Sequence, residues 1–299
     1  MRPTAVPAPL LVLASITCAQ TGGAIARTLF DDLGATGATL LRVAIAALVL
    51  AVVARPRVRT WPAAAWRAAA LLGVVIAGMS LNYYLALRTV PLGVVVTVTF
   101  LGPLVLALVQ TRRLLDLLWA LLAASGVALL GLHPGISAPL GGLLFAAASA
   151  ACGAGYILLS KRLGGLLPGV GGLAVSLTVA ALVVLPFGAG GATAAFRHPV
   201  LLAGAGAVAV LSSVLPYALE ITALRRLPTR VFGILISLQP AAGAVAGFLV
   251  LDQHLGAAEI VALVLVSVAG AGVSRTAAGP PRRTGAAERG RTPAAGCRR

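Results

Sequence analysis

Ten apolar stretches of membrane-crossing length follow one another along this chain, at 9–29, 37–54, 68–87, 92–110, 115–132, 140–160, 169–187, 200–222, 231–250 and 258–274. A hydrocarbon core about 30 Å thick takes about 20 residues of helix, at about 1.5 Å rise each. Each stretch therefore fits one crossing, whereas barrel strands would be shorter and would alternate. Composition leaves little room for anything else: 60% of the 299 residues are hydrophobic, 10% are charged, and mean hydropathy is +1.02. A soluble domain carries about 25% charged residues, so a water-soluble enzyme is excluded. So are a disordered chain and a disulfide scaffold, the latter because Cys18, Cys152 and Cys297 are the only cysteines. The first stretch reads as a span rather than a cleaved signal, because it carries Gln20 and Arg27 and lacks a small-x-small cleavage site. The expected fold class is an all-α membrane protein of ten transmembrane helices.

The charge of +16 is read by side of the membrane before it is read as a nucleic-acid surface. With residues 1–8 in the cytoplasm, 19 Lys and Arg fall in cytoplasmic segments and only Arg27, Arg88 and Arg197 fall outside. That asymmetry sets the orientation, places both termini in the cytoplasm and favours an even number of spans. Segment 275–299, rich in Gly, Pro, Ala and Arg, reads as a disordered basic cytoplasmic tail able to touch anionic headgroups. The charge thus calls for a lipid bilayer and for no nucleic-acid partner.

The chain also repeats itself. Ala86-Leu-Arg-Thr-Val-Pro91 returns as Ala223-Leu-Arg-Arg-Leu-Pro228, and Pro103 returns as Pro240, both at an offset of 137. Ser15 and Cys18 return as Ser149 and Cys152 at an offset of 134. Two five-helix units follow, 9–132 and 140–274. Since five is odd, the second enters the membrane upside down. An inverted 5+5 repeat puts a substrate site near the midplane between the halves.

Charge inside a bilayer is costly and points to function by default. Of seven acids only Glu220 lies well within a span. It binds a substrate amine or takes up a proton if it faces a cavity; otherwise it pairs with Arg225, Arg226 or Arg230. Arg42 offers a rigid fork for a carboxylate, although its shallow depth favours snorkelling to the outer headgroups. Pro103 and Pro240 fall mid-helix at corresponding places, where each frees a backbone carbonyl. Equivalent breaks in both halves mark a transport site or a packing kink. Gln20, Thr97, Thr99, Ser237 and Gln239 supply neutral polar groups suited to a zwitterion. Asn82, Tyr83, Tyr84, Tyr156 and Tyr217 are candidates to line or gate the cavity, or to anchor at the interface.

Several of these runs carry a resemblance. Thr89-Val-Pro-Leu-Gly93 and Gly102-Pro103 look like the first half of EamA-type transporters of the drug/metabolite transporter superfamily. Leu215-Pro-Tyr-Ala-Leu-Glu220, Ala223-Leu224, Arg226-Leu-Pro-Thr-Arg230, Gln20, Ala26-Arg-Thr-Leu-Phe30, Gly34 and Leu41-Arg42 resemble the threonine/homoserine exporter branch. The similarity covers about residues 9–274. It implies export of small metabolites such as amino acids from a bacterial cell across its inner membrane, coupled to the proton gradient. The chain departs from that branch at Gln239 and Thr99, where the branch tends to carry Glu, and at Asp252-Gln253, where it tends to carry Gly-Glu. A homodimer is compatible with this architecture, and nothing in the sequence demands one. No cofactor is called for. A membrane enzyme would need a metal cluster or an activated nucleophile, yet His133, His198 and His254 are scattered through outer loops. A channel would need a charged ring or pore lining. Uptake rather than export stays open, because direction follows gradients.

Overall fold

The computed structural model describes residues 7–56, 58–110, 114–132, 139–167, 169–224, 226–227 and 229–276. The tail after Thr276, Arg225 and the loop 133–138 therefore lie outside the described residues. Among those described there is no strand. The helices are α1 Ala8–Thr28, α2 Phe30–Ala54, α3 Ala63–Leu87, α4 Leu92–Thr99, α5 Leu101–Gln110, α6 Leu114–Leu132 and α7 Leu140–Leu166. They continue as α8 Gly171–Arg197, α9 Pro199–Ala209, a π-helical turn Val210–Val214, α10 Leu215–Leu224, α11 Thr229–Ile236, α12 Gln239–Leu251 and α13 Ala257–Thr276. Among the described residues, eight helical stretches are long and apolar enough to cross a membrane, and Leu92–Leu106 and Leu117–Leu130 are shorter apolar helices. The chain is a multi-pass membrane protein.

Helices dominate because backbone polar groups in a bilayer must be satisfied within their own segment. Proline marks where they start. Pro7, Pro62, Pro91 and Pro139 immediately precede α1, α3, α4 and α7, and Pro199 opens α9. There the missing N–H costs nothing and the fixed φ is already helical. Large apolar side chains such as Val53, Leu121, Phe187 and Leu249 are exposed, as on a surface solvated by lipid tails.

Several segment bounds move outward from those read in the sequence, α3 starting at Ala63 and α7 ending at Leu166, and two move furthest. α2 begins at Phe30, and a break at Gly34 (φ 65°, ψ 163°) separates its first turn from the rest. That conformation suits a residue without Cβ. α8 runs on to Arg197. Its last turns are weakly apolar, but Gly188 and Gly191 let it lie directly on the backbone of Leu33 and Thr36 in α2. Close approach of small residues, rather than hydropathy, holds this pair.

The packing is a set of helix pairs: α2 on α8, α3 on α7, α1 on α10, α4 on α12 and α6 on α13. Further contacts join α1 to α12, α4 to α7 and α3 to α8. One large core cluster runs mainly through α1 to α4 and α7 to α9, and a cavity beside it is lined in part by Pro103 and by Ser212 of the π-turn.

Candidate functional site

Three apolar segments are not regular α-helices throughout, although the chain stays right-handed at Phe100 and Leu238. The fourth is broken at Phe100 between α4 and α5, and the ninth at Ser237–Leu238 between α11 and α12. Pro103 and Pro240 were expected mid-helix; each instead sits in the first turn of the new half-helix, where a residue lacking N–H fits best. The eighth is distorted by the π-turn, after which the Leu215 N–H bonds back to the Val210 carbonyl. π-turns of this kind mark an irregular stretch of ladder.

These irregular stretches surround a cavity of about 510 Å³. It brings together Gln20, Arg42, Tyr83, Tyr84, Thr99, Pro103, Tyr156, Glu220 and Gln239. Of the other expected residues, Asn82 bonds the Gly78 carbonyl of its own helix at 2.7 Å and Ser237 bonds the Ile234 carbonyl at 2.6 Å. Neither these two nor Pro240 lines the cavity. Thr97 is buried and turned back onto the Gly93 carbonyl at 2.7 Å. The Tyr217 side chain lies outside the described residues.

Arg42 does not snorkel. Its Nη2 donates to Ser80 Oγ, and its guanidinium carbon stands 5.2 Å from the Tyr84 ring centroid. Its Nε is buried and has no hydrogen-bond partner among the described residues, and neither has Gln20 Oε1. Unpaired buried polar atoms are rare enough to need a reason, and a polar occupant supplies one. Glu220 accepts a hydrogen bond from Ser15 Oγ at 2.9 Å. No described cation is in ion-pair contact with it, Arg42 included. Glu220 and Tyr156 also line a second cavity of about 390 Å³ that reaches the α7–α8 turn at Gly169 and Val170.

Side chains from several helices meet at the opposite end of the bundle. Arg27 lies over the Phe30 ring at 5.4 Å and donates to the Arg88 carbonyl at 3.5 Å. Phe30 in turn packs on Tyr84 at 5.4 Å between centroids. The Leu92 N–H at the start of α4 donates to Gln253 Oε1 at 2.9 Å.

Reading the sequence missed the serines. Ser80, Ser149 and Ser212 line the cavity and Ser15 holds Glu220. The only signal was that Ser15 and Ser149 recur at equivalent places in the two halves.

Helices of spanning length around a partly open, mostly apolar cavity that a few polar side chains enter define a membrane protein with a central cavity of small-molecule size. Residues 140–275 match the EamA-like transporter family. Over 269 residues the chain is 38% identical to the threonine/homoserine exporter RhtA of Salmonella typhimurium (strain LT2), covering 89% of this chain and 91% of that protein. It is 37% identical to RhtA of Escherichia coli (strain K12) with the same coverage. A solved crystal structure of a protein 17% identical has the same fold, with a TM-score of 0.58 over 90% of this chain and 97% of that one. The chain belongs to the EamA-like transporter family, on the branch of the threonine/homoserine exporters.

Proposed function

We propose that this protein exports small polar amino acids, threonine and homoserine among them, by alternating access driven by the proton gradient. The observation that carries this reading is a cavity holding one cation and one carboxylate that do not pair with each other. An amino acid brings the two complementary groups. Its carboxylate suits the fork of Arg42, including the unpaired Nε, and its ammonium suits Glu220 and Gln20. The names of the relatives point to the same substrates.

Ten spans in two inverted halves are supported by the helix pairings, which keep their pattern when the halves are exchanged. The contact of α1 with α10 then corresponds to that of α7 with α3, and α1 with α12 to α7 with α4. Two hydrogen bonds follow the same rule: Ser15 Oγ to the Pro216 carbonyl at 3.4 Å, and Ser149 Oγ to the Met79 carbonyl at 2.9 Å. The donors are 134 residues apart and the acceptors 137, the offsets of the sequence repeat. The loop charges support cytoplasmic termini in a bacterial inner membrane. With that orientation, the closure at Arg27 and Gln253 faces outward and the cavity at Gly169 faces the cytoplasm, the geometry of an inward-facing state.

The test is efflux from cells lacking their own amino-acid exporters, loaded with threonine, homoserine and a wider amino-acid panel, with and without an uncoupler. Uncoupler-sensitive efflux of threonine or homoserine is expected. No efflux of any panel member from a correctly inserted protein overturns the substrate assignment.

A further inference from the structure

Glu220 is bound by a hydroxyl with two acceptors in reach. Ser15 is fully buried. Its Oγ lies 2.9 Å from Glu220 Oε1 and 3.4 Å from the Pro216 carbonyl oxygen. A serine hydroxyl carries one proton and two lone pairs, so it donates to one of these oxygens at a time. Two arrangements satisfy the group. With Glu220 ionised, Ser15 donates to the carboxylate. With Glu220 protonated, the carboxyl O–H donates to Ser15 Oγ, and the Ser15 hydrogen turns to the Pro216 carbonyl. Uptake of one proton by Glu220 together with rotation about the Ser15 Cβ–Oγ bond interconverts them, and no heavy atom moves.

The other half of the molecule supplies the contrast. Ser149 makes the equivalent bond to the Met79 carbonyl, but the position equivalent to Glu220 there is Tyr83, 137 residues earlier. The serine–carbonyl bond is thus common to both halves, and the carboxylate is added in one of them. It is added next to the π-turn. α10 starts from the π-turn, and Pro216 offers no N–H. Contact with α1, at Ser15 and where Gly22 meets Ser212, ties this segment down.

We propose that Ser15 is a positioning residue that holds Glu220 in both of its protonation states, so that a proton is loaded and released without breaking the contact between α1 and α10. This rests on the reading of Glu220 as the proton and amine site of the transporter. The proton is loaded from the outer side in the outward-facing state and released, in the conformation seen here, to the side of the smaller cavity, which Glu220 also lines; the Ser15 hydrogen rotates and is not transferred. Among the described residues, the other titratable and charged groups around Glu220 are Tyr156 from α7, Cys18 one turn along α1, and Arg42, Tyr83 and Tyr84 across the larger cavity. Arg226 follows α10 and is exposed.

The experiment is pH-titrated infrared difference spectroscopy on the full-length protein in lipid. Only seven acids are present, and the carboxyl band of Glu220 is assigned by its loss in Glu220→Gln. Ser15→Ala is expected to change the frequency of that band and to move its midpoint by about half a pH unit or more, as a hydrogen bond to an ionised group outweighs a neutral one. Ser15→Thr, which keeps the hydroxyl, is expected to preserve both, and so is Ser149→Ala, which removes only the serine–carbonyl bond. If Ser15→Ala does not insert, Ser15→Cys keeps the volume with a weak donor and is expected to move the midpoint in the same way. An unchanged band and midpoint in the Ser15 variant that inserts overturns the proposal, as does the absence of any band lost in Glu220→Gln. Threonine efflux measured on the same variants keeps the two readings apart. A serine-dependent band without efflux sinks the substrate assignment alone, and efflux with a serine-independent band sinks the role of Ser15 alone.

Discussion

Arg42 owes its place in the cavity to two neighbours on α3, the hydroxyl of Ser80 and the ring of Tyr84. A lysine would keep the charge but lose the planar fork and the stacking. Arg42→Lys is therefore expected to raise the KM for amino-acid efflux about tenfold, roughly one charge-assisted hydrogen bond's worth, with a smaller change in maximal rate. Two buried or half-buried acids provide a second test. Glu259 is buried, and its Oε2 accepts the Gly256 N–H at 2.7 Å, capping the start of α13; Glu220 faces the cavity. In the same efflux assay Glu220→Gln is expected to lose most activity, whereas Glu259→Gln keeps it, since an amide oxygen still caps the helix. Equal activity in the two variants would return Glu220 to a structural role. Both charged site residues were legible in the sequence as intramembrane charge, but the direction of Arg42 was not. Its depth along α2 pointed to the headgroups, and depth carries no information about the side of the helix from which a side chain leaves.

At the scale of elements, the breaks matter more than the spans. Matched prolines predicted irregular backbone in the fourth and ninth segments, and the half-helices α4–α5 and α11–α12 are what the structure has there. No proline pair announced the π-turn of the eighth segment. Its tightest neighbour is Gly22 of α1, where an added Cβ would stand 2.9 Å from the Ser212 backbone nitrogen and 3.0 Å from Leu211 Cβ. Backbone cannot yield as a flexible side chain can, so Gly22→Ala is expected to cost about 1–3 kcal/mol, read as a lower Tm in detergent. A Tm equal to wild type would mean that α1 has room to move off the π-turn. The long start of α2 and the long end of α8 were also hidden, because each is made stable by the other: glycine-mediated contact gives stability to turns whose own hydropathy is too low to suggest a helix.

For the whole molecule, orientation and closure can be read together. Reporter fusions are expected to place both termini in the cytoplasm, and an external C-terminus would break the inverted-repeat reading. Closure is tested with one cysteine, Met79→Cys, in a variant whose native cysteines are replaced by alanine. Membrane-impermeant thiol reagents are expected to reach it from the cytoplasmic side and hardly at all from outside. Adding Arg27→Ala removes the cation over Phe30 and the bond to the Arg88 carbonyl, and is expected to raise outside labelling about tenfold. Labelling that ignores Arg27 would mean that the Gln253–Leu92 contact alone keeps that end shut.

By itself the sequence determined that the chain is helical and crosses a membrane repeatedly, which family it resembles, and that several short motifs recur at fixed offsets. Those properties follow from local quantities: runs of apolar residues long enough for a bilayer, lysine and arginine counted by loop, and residues recurring at fixed offsets. The tertiary structure alone decided which polar groups meet. Ser15 and Glu220 are 205 residues apart in the chain, and their contact depends on how α1 lies against α10. These helices are apolar on nearly every face, because lipid on one side and protein on the other make the same demand. Hydrophobic periodicity therefore cannot say which face turns inward. Small-residue packing between helices makes that choice, and it places Arg42, Gln20 and Glu220 around one cavity.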